Sequence, residues 1–217
     1  MDIKQPFIIT ISRELGSGGR TVGRKLAETL GVRYSDKELI EALRNEFHLT
    51  TDAIEKLKGE KKNWFAKFLQ RVAPMPKSGQ VVEWDESILR EYNPDVTSED
   101  IYAAEAQILR AIAQEGSCVI AGRSAFYLLK DCPNKLDIFI TASREKRIER
   151  VMAKQKLSAQ DAAETIDRID QYRENYIQRI AGVSRYDIRN YDCVINMDQL
   201  ADEDAAVALI LQIIGKQ

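Results

Sequence analysis

The chain has 217 residues, of which 44% are hydrophobic and 30% are charged, with only 5 prolines and 11 glycines. This composition is typical of a globular protein with a sizeable core and excludes disordered and fibrous classes. The 32 basic and 34 acidic side chains give a net charge of −2, which argues against a nonspecific nucleic-acid binder that relies on an overall basic field. No apolar run approaches the roughly 20 residues of a membrane-spanning helix, and no signal-peptide pattern is present, so we expect a cytoplasmic protein without a membrane partner.

The cysteines and the histidine argue against several kinds of site. The three cysteines, Cys118, Cys132 and Cys193, are widely spaced and form no CxxC pair, so we expect neither a disulfide scaffold nor a zinc site. The single histidine, His48, argues against histidine-based metal sites and against Ser–His or Cys–His nucleophile pairs. The chemistry is therefore expected to come from other side chains.

The first half of the sequence predicts two strand–helix steps and then a change of character. The β-branched run at residues 7–12 predicts a strand buried in a parallel sheet. An amphipathic helix follows over about residues 20–30, and Gly31 stands where a C-cap glycine belongs. Residues 32–35 predict a short second strand, and Asp36 is a candidate N-cap for a second helix through Leu43. Residues from about 47 to 93 give no strand signal but contain amphipathic pieces, which predicts a helical insertion.

After the insertion, capping signals predict helices that alternate with apolar strands. The predicted helices begin near Thr97, Ser143, Ser158 and Asp202, and Gly182 ends the third of them. The predicted strands are residues 118–123, 136–141 and 193–196.

This alternation predicts an α/β fold. We expect a single domain over residues 1–217, in which a doubly wound, mostly parallel sheet has helices on both faces. Ligands of such sheets bind at the carboxyl ends of the strands. The functional residues are therefore expected in the loops that follow strands.

The first of these loops, residues 13–21 (RELGSGGRT), which we call the glycine loop, has the composition of a phosphate-binding loop. Glycines allow backbone N–H groups to turn toward phosphate oxygens at a helix N-terminus. The alternative interpretation is a tight strand-to-helix turn without a ligand. Three glycines coincide here with Ser17, Arg20 and Thr21, and this combination favours phosphate binding.

The glycine loop differs from the usual P-loop motif GxxxxGK[ST]. Arg13 stands where the motif has its first glycine, and Gly19 occupies the lysine position, with Arg20 and Thr21 displaced by one residue. Arg20 supplies a positive charge that the loop otherwise lacks. A guanidinium binds phosphate bidentately, although its size and donor geometry differ from those of lysine.

Beyond these motifs, the chain resembles the cytidylate-kinase-like family, relatives of the bacterial cytidylate kinases among the P-loop nucleoside monophosphate kinases. The similar segments run from near residue 8 to near 196 and are ITISRELGSGGRTVGRKLAETLG with SDKEL, VIAGRSAFYLL, IFITASREKRIERVM, RIDQYRENYIQR and YDCVIN. The resemblance implies a P-loop kinase fold, with the insertion on the acceptor side and a lid at about residues 152–182. It also implies ATP-dependent phosphoryl transfer to a nucleoside monophosphate, CMP or dCMP first, so small nucleotides are the expected partners.

The resemblance implies roles for individual residues around the donor nucleotide. The residues expected around the phosphates of ATP are Gly16, Ser17, Gly18, Gly19, Arg20 and Thr21. Thr21 is the expected ligand to Mg²⁺, an ion held mostly by phosphates and water. Arg147 and Arg150 are expected near the donor nucleotide, and Arg173 is expected to close over the transferred phosphoryl group.

On the acceptor side, the resemblance implies that Arg123 grips the acceptor phosphate and acts in catalysis with Arg20 and Arg173. Asp36 and Ser124 stand at positions that face the acceptor, where the family usually has a serine and an aspartate, respectively. These departures leave the acceptor base open. Several convergent arginines with Mg²⁺ suit phosphoryl transfer, because the reaction needs charge neutralisation and positioning rather than a covalent nucleophile.

Other interpretations stay open at this point. One is a nucleotide-binding regulatory module that kept the fold and lost the transfer, since the loop lacks its lysine and positions 36 and 124 are altered. Another is a kinase that acts on a different small acceptor. Without the resemblance, Arg147, Arg150 and Arg173 would be interpreted as part of a solvated, ion-paired helix face, because acidic residues stand near them at helical spacings.

Overall fold

The structure of the protein is a computed structural model that describes residues 1–36, 98–122 and 124–215. The predicted insertion at residues 47–93 and the predicted acceptor-site residue Arg123 lie outside the described residues, and both stay predictions.

The chain divides into two compact units. One consists of Met1–Asp36 and Leu109–Gln217, and the other consists of Lys37–Ile108. The sheet and the candidate site described below belong to the first unit.

The described residues contain a parallel sheet of five strands in the order β2-β3-β1-β4-β5. The strands are β1 (Ile8–Arg13), β2 (Arg33–Ser35), β3 (Cys118–Ala121), β4 (Lys135–Thr141) and β5 (Cys193–Asn196). Because all strands are parallel, their carboxyl ends meet at one edge of the sheet. Since β1 is the central strand, the glycine loop that follows it lies in the middle of this edge, where the chain changes winding direction and ligands bind in such folds.

Six helices accompany the strands in the described residues. They are α1 (Gly19–Leu30), α2 (Ser98–Glu115), α3 (Ala125–Leu128), α4 (Arg144–Gln155), α5 (Ala159–Ala181) and α6 (Glu203–Gly215). None of the helices in these ranges is both long and apolar enough to cross a membrane. The doubly wound α/β fold predicted from the sequence is confirmed.

Local capping chemistry sets the ends of several helices, as the sequence predicted. Ser158 accepts a hydrogen bond from the Asp161 amide at 3.1 Å and begins α5. Gly31 and Gly182 adopt left-handed conformations, with φ of 65° and 67°, at the ends of α1 and α5. The four-residue helix α3 was not predicted, because it is too short to show a helical period.

The largest core cluster packs one face of the sheet against α1 and α6. Its central strand residues alternate with a period of two, as expected for strands, and its helix residues recur at helical spacing. The residues of this cluster include Ile9, Ile11, Val119, Ile138, Ile140, Val22, Leu26, Ala206 and Ile210, all nearly inaccessible to solvent. This packing fixes α1, and thereby the helix N-terminus that follows the glycine loop, against the central strand.

The opposite face of the sheet carries a polar group between β1 and β4. Asp137 accepts hydrogen bonds from the Thr10 hydroxyl and from Lys135 Nζ, both at 2.5 Å. Lys135 Nζ also donates to the carbonyl oxygen of Phe126 at 2.8 Å. Burial raises the pKa of Asp137 despite these hydrogen bonds. The carboxylate of Asp137 and the ammonium of Lys135 therefore each need the other as a counter-charge.

We expect Asp137→Leu to lower the free energy of unfolding by about 3 kcal/mol, because it leaves the Lys135 ammonium buried without its counter-charge. Urea unfolding measures the change. The double variant Lys135→Met/Asp137→Leu, which removes both charges, should be more stable than the single one. A double variant no more stable than Asp137→Leu would show that the loss has another cause.

Candidate active site

The conformation of the glycine loop is set by glycine and by short-range hydrogen bonds. Gly16 and Gly18 have φ of 82° and 86°, a region that side chains with a Cβ rarely adopt. Ser17 is buried, and its hydroxyl donates to the carbonyl oxygen of Glu14 at 2.9 Å. The loop therefore needs glycine at these two positions because of its backbone conformation.

The concave part of the loop offers amide donors at a helix N-terminus. Within the described residues, the backbone N–H groups of Gly16, Gly18 and Gly19 have no protein acceptor. Gly18 caps the 12-residue helix α1, whose dipole places partial positive charge at this end. Unsatisfied amides and a helix dipole together favour an anion at this position.

Arginines of α4 hold the outer side of the loop. Arg147 Nη1 donates to the Leu15 carbonyl at 3.4 Å, and Arg150 Nη1 donates to the Ser17 carbonyl at 2.8 Å. A Cβ added to Gly18 would lie 2.6 Å from Arg150 Nη1, so the helix approaches the loop closely. Because these arginines engage carbonyl oxygens, they position the loop, and their expected contact with the donor nucleotide stays a prediction.

Asp170 of α5 connects the loop to the arginines around it. Its carboxylate accepts from the Leu15 amide at 3.0 Å, from Arg147 Nη1 at 2.6 Å and from Arg173 Nη1 at 3.1 Å. Arg185 Nη1 lies 3.9 Å from the same carboxylate. Asp170 itself is buried. One buried carboxylate therefore orients three guanidinium groups and one loop amide.

Three arginines gather at the carboxyl end of β1. Arg173 and Arg185 both donate to the carbonyl oxygen of Arg13. Burial and the positive charges of Arg13 and Arg185 lower the pKa of Arg173 to about 9. Burial is also the main cause of the lowered pKa of Arg13; the negative charge of Asp36 opposes this shift, and the positive charges of Arg20 and Arg185 add to it. Like charges are thus held close together in a buried group, which favours a bound anion.

Arg185 is the most enclosed member of this group, with 6% of its surface exposed. Its Nη1 atom is buried and makes no hydrogen bond within the described residues. The guanidinium carbon lies 5.4 Å from the ring centre of Tyr186 and 5.9 Å from that of Phe139. These rings stabilise the cation and limit its movement.

Arg20 and Asp36, both predicted from the sequence, contact each other. Arg20 Nε lies 2.9 Å from Asp36 Oδ2, and only 2% of Asp36 is exposed. The Tyr34 hydroxyl donates to the carbonyl oxygen of Arg20 at 3.1 Å. Arg20 therefore turns toward the end of β2, and Asp36 is covered.

Thr21 and Ser124, whose roles stay predictions, both lie at the start of a helix. Thr21 lies in the first turn of α1, where its amide donates to the Gly18 carbonyl at 2.9 Å. No group of three His, Cys, Asp or Glu side chains in the described ranges could hold a metal ion. A single hydroxyl at this helix end fits Mg²⁺ that takes its other ligands from nucleotide phosphates and water. Ser124, with φ of 51°, is the N-cap residue of α3 and follows the last residue of β3 by three positions.

The sequence analysis did not identify Arg13, Asp170 or Arg185 as members of the site. For Arg13, the departure from the P-loop motif was a usable signal. For Asp170, the spacing of three residues from Arg173 on one helix was another. Arg185 follows the end of α5 and carried no local signal, because its contacts with the end of β1 are long-range.

Comparisons with known proteins show which family the chain is similar to. The sequence model of the cytidylate kinase-like family matches residues 8–199. A protein of Pyrococcus horikoshii described as a cytidylate kinase is 26% identical over 202 residues, which are 92% of this chain and 84% of that protein.

Two solved structures have a similar fold. An uncharacterised protein from Eubacterium ventriosum is 24% identical with a TM-score of 0.66, and the match covers 97% of this chain and 99% of that one. Shikimate kinase from Bacteroides thetaiotaomicron is 13% identical with a TM-score of 0.51, and the match covers 96% and 98% of the two chains.

The fold is that of the P-loop kinases, as the sequence predicted. The chain belongs to the cytidylate kinase-like family.

We expect Asp170→Asn to lower the free energy of unfolding by about 3 kcal/mol, because it removes the buried charge that faces Arg147, Arg173 and Arg185. Chemical denaturation measures the loss. The matched control is Asp167→Asn on the same helix, where an exposed aspartate pairs with exposed Arg144; it should change stability much less. Equal losses in both variants would contradict the central position of Asp170.

Proposed function

We propose that the protein transfers the γ-phosphoryl group of ATP to a nucleoside monophosphate, with CMP or dCMP as the first candidates. Membership in the cytidylate kinase-like family supports a nucleotide or small-molecule kinase. The finer assignment to CMP is supported by the similarity to the P. horikoshii protein described as a cytidylate kinase.

The proposal depends on one observation: guanidinium groups and backbone amides of the glycine loop lie together at the end of β1. Arg173 and Arg185 converge on the Arg13 carbonyl oxygen, next to a loop whose glycine amides have no acceptor in the described ranges. Asp170 is the carboxylate that these guanidinium groups share. Such a site suits a polyphosphate, which carries several negative charges and many acceptor oxygens.

The residues divide the work of phosphoryl transfer between positioning and charge stabilisation. The amides of the glycine loop bind the donor phosphates, and Arg147 and Arg150 hold the loop in place from outside. Arg173 and Arg185 stabilise the charge that spreads over the equatorial oxygens of the transferred group. Thr21 would hold Mg²⁺, which, when bound, neutralises charge on the β and γ phosphates. Arg123 is the proposed ligand of the acceptor phosphate.

The predicted lid at residues 152–182 includes α5, which carries Asp170 and Arg173. Asp170 bonds this helix to the Leu15 amide, so the arginine that stabilises the transferred group and the loop that binds it are fixed to each other. We infer that this segment excludes water from the donor phosphates and thereby limits ATP hydrolysis.

A second candidate function is phosphoryl transfer to a different small acceptor. The observation that favours it is the pairing of Asp36 with Arg20, which covers the side chain at the position expected to contact a nucleotide base. In this case the donor site is unchanged, and only the acceptor differs.

We expect ADP release from MgATP to depend on the acceptor. The measurement compares CMP, dCMP, UMP, AMP and GMP, each against a blank without acceptor. Turnover well above the blank with CMP or dCMP supports the first candidate. Rates equal to the blank with all five monophosphates, together with stabilisation of the protein by ATP, would contradict the first candidate function. The second candidate function or a nucleotide-binding module without transfer would then be left.

Arg173→Met should lower kcat by about 10²-fold, because it removes a donor to the charge that develops in the transition state. The same variant should not lower the unfolding temperature of the ligand-free protein, since it removes one of several crowded like charges. Arg189→Met, at an arginine that is 86% exposed and pairs with Asp187, is the control and should keep wild-type kcat. A wild-type kcat in Arg173→Met would contradict the role of Arg173.

A further inference from the structure

We propose that Arg13 replaces the lysine of the P-loop motif as the cation that contacts the β and γ phosphates of the donor. The proposal rests on the proposed function, because it concerns the donor side of the same site. In the usual motif a glycine opens the loop and a lysine closes it. In this chain arginine opens the loop at position 13, and glycine stands at the lysine position, 19.

The two replacements are linked in space. A Cβ added to Gly19 would lie 2.8 Å from Arg13 Cβ and 3.4 Å from Arg13 Cδ. The first distance is shorter than real Cβ atoms show, and Arg13 Cβ is attached directly to the backbone of a central strand. Arg13 therefore runs through the space from which a lysine at position 19 would start, and the two side chains exclude each other.

The backbone of Gly19 does not itself demand glycine. Its φ is not positive, in contrast to those of Gly16 and Gly18. Position 19 is also the first residue of α1, where an ordinary side chain is compatible with helical dihedrals. The close approach of Arg13, with Ile140 Cβ at 3.2 Å as the next neighbour, is thus the reason that glycine is needed.

A third glycine makes room for the charged end of Arg13. A Cβ added to Gly122 would lie 3.3 Å from Arg13 Cζ and closer still to Nη1, and φ at this glycine is 85°. Gly122 directly follows β3, the neighbour of β1 in the sheet. The guanidinium therefore lies between the ends of two adjacent strands and the N-terminus of α1, where ligands of doubly wound sheets bind.

Arg20, the nearer candidate in sequence, is held in another direction. Its Nε contacts buried Asp36 at 2.9 Å. Arg13 lies near this pair as well, and it also lies near Arg173 and Arg185. Arg13 therefore belongs to the cation group that a polyphosphate would neutralise. A planar guanidinium offers two parallel N–H donors to a phosphate group, whereas the ammonium of lysine is a compact charge with three rotatable donors.

The test removes the positive charge at position 13 or moves it to position 19, and it measures both MgATP binding and kcat. Arg13→Gln, which keeps an unbranched polar side chain, should weaken MgATP binding in calorimetry at least tenfold and lower kcat by about 10²-fold. Arg13→Gly should do the same. Arg13→Gly/Gly19→Lys restores the motif order, and because the blocking side chain is absent it should bind MgATP at least tenfold more tightly than Arg13→Gly.

The control is Arg33→Ala, at the amino end of β2 and thus away from the carboxyl edge that carries the loop, where the arginine pairs with Glu115 at 2.5 Å. It should leave MgATP binding unchanged. Wild-type affinity in Arg13→Gln, or a double variant that binds no better than folded Arg13→Gly, would overturn the inference. If the wild type binds MgATP but transfers nothing to any acceptor, the proposed function fails, and the binding data still decide the role of Arg13.

Discussion

The geometry of the site depends on the hydrogen bonds that the buried carboxylate of Asp170 accepts. It joins α5 to the glycine loop through the Leu15 amide and fixes Arg147 and Arg173 at hydrogen-bond distance. Arg147 in turn reaches the loop carbonyl of Leu15 from the outer side. Arg147 also lies 3.6 Å from Glu14, whereas Arg173 and Arg185 share Asp170, so we expect an excess of positive charge at the end of β1.

The excess of positive charge at the end of β1 links the stability of the protein to the binding of an anion. Burial, followed by the charges of Arg13 and Arg185, lowers the pKa of Arg173, so the folded protein favours the charged form of this group less than water does. We expect a bound polyphosphate to favour the charged form and thereby to stabilise the folded protein. The arginine at position 13 adds to the same effect. Sites of this kind are expected to be less stable empty than filled.

Local patterns in the sequence were sufficient for the strands, the caps and the glycine loop. The apolar runs of β1 and β4, the Ser158 cap and the glycines at 31 and 182 depend on near neighbours, and the structure has them where they were predicted. The direction of Arg20 was not predictable, because it depends on the packing of β2 beside β3. The proximity of Arg13, Arg173 and Arg185 was also not predictable from the sequence, since it joins residues about 160 to 170 positions apart.

The proposed polyphosphate site lies at the end of β1, among the guanidinium groups of Arg13, Arg173 and Arg185. The most direct test is the unfolding temperature of the ligand-free protein as inorganic tripolyphosphate is added, compared with sodium chloride at equal ionic strength. We predict a saturating rise with tripolyphosphate that exceeds the effect of chloride, and that is smaller in Arg173→Met. Identical curves for the two salts would contradict the claim, since they would show only general screening of charge.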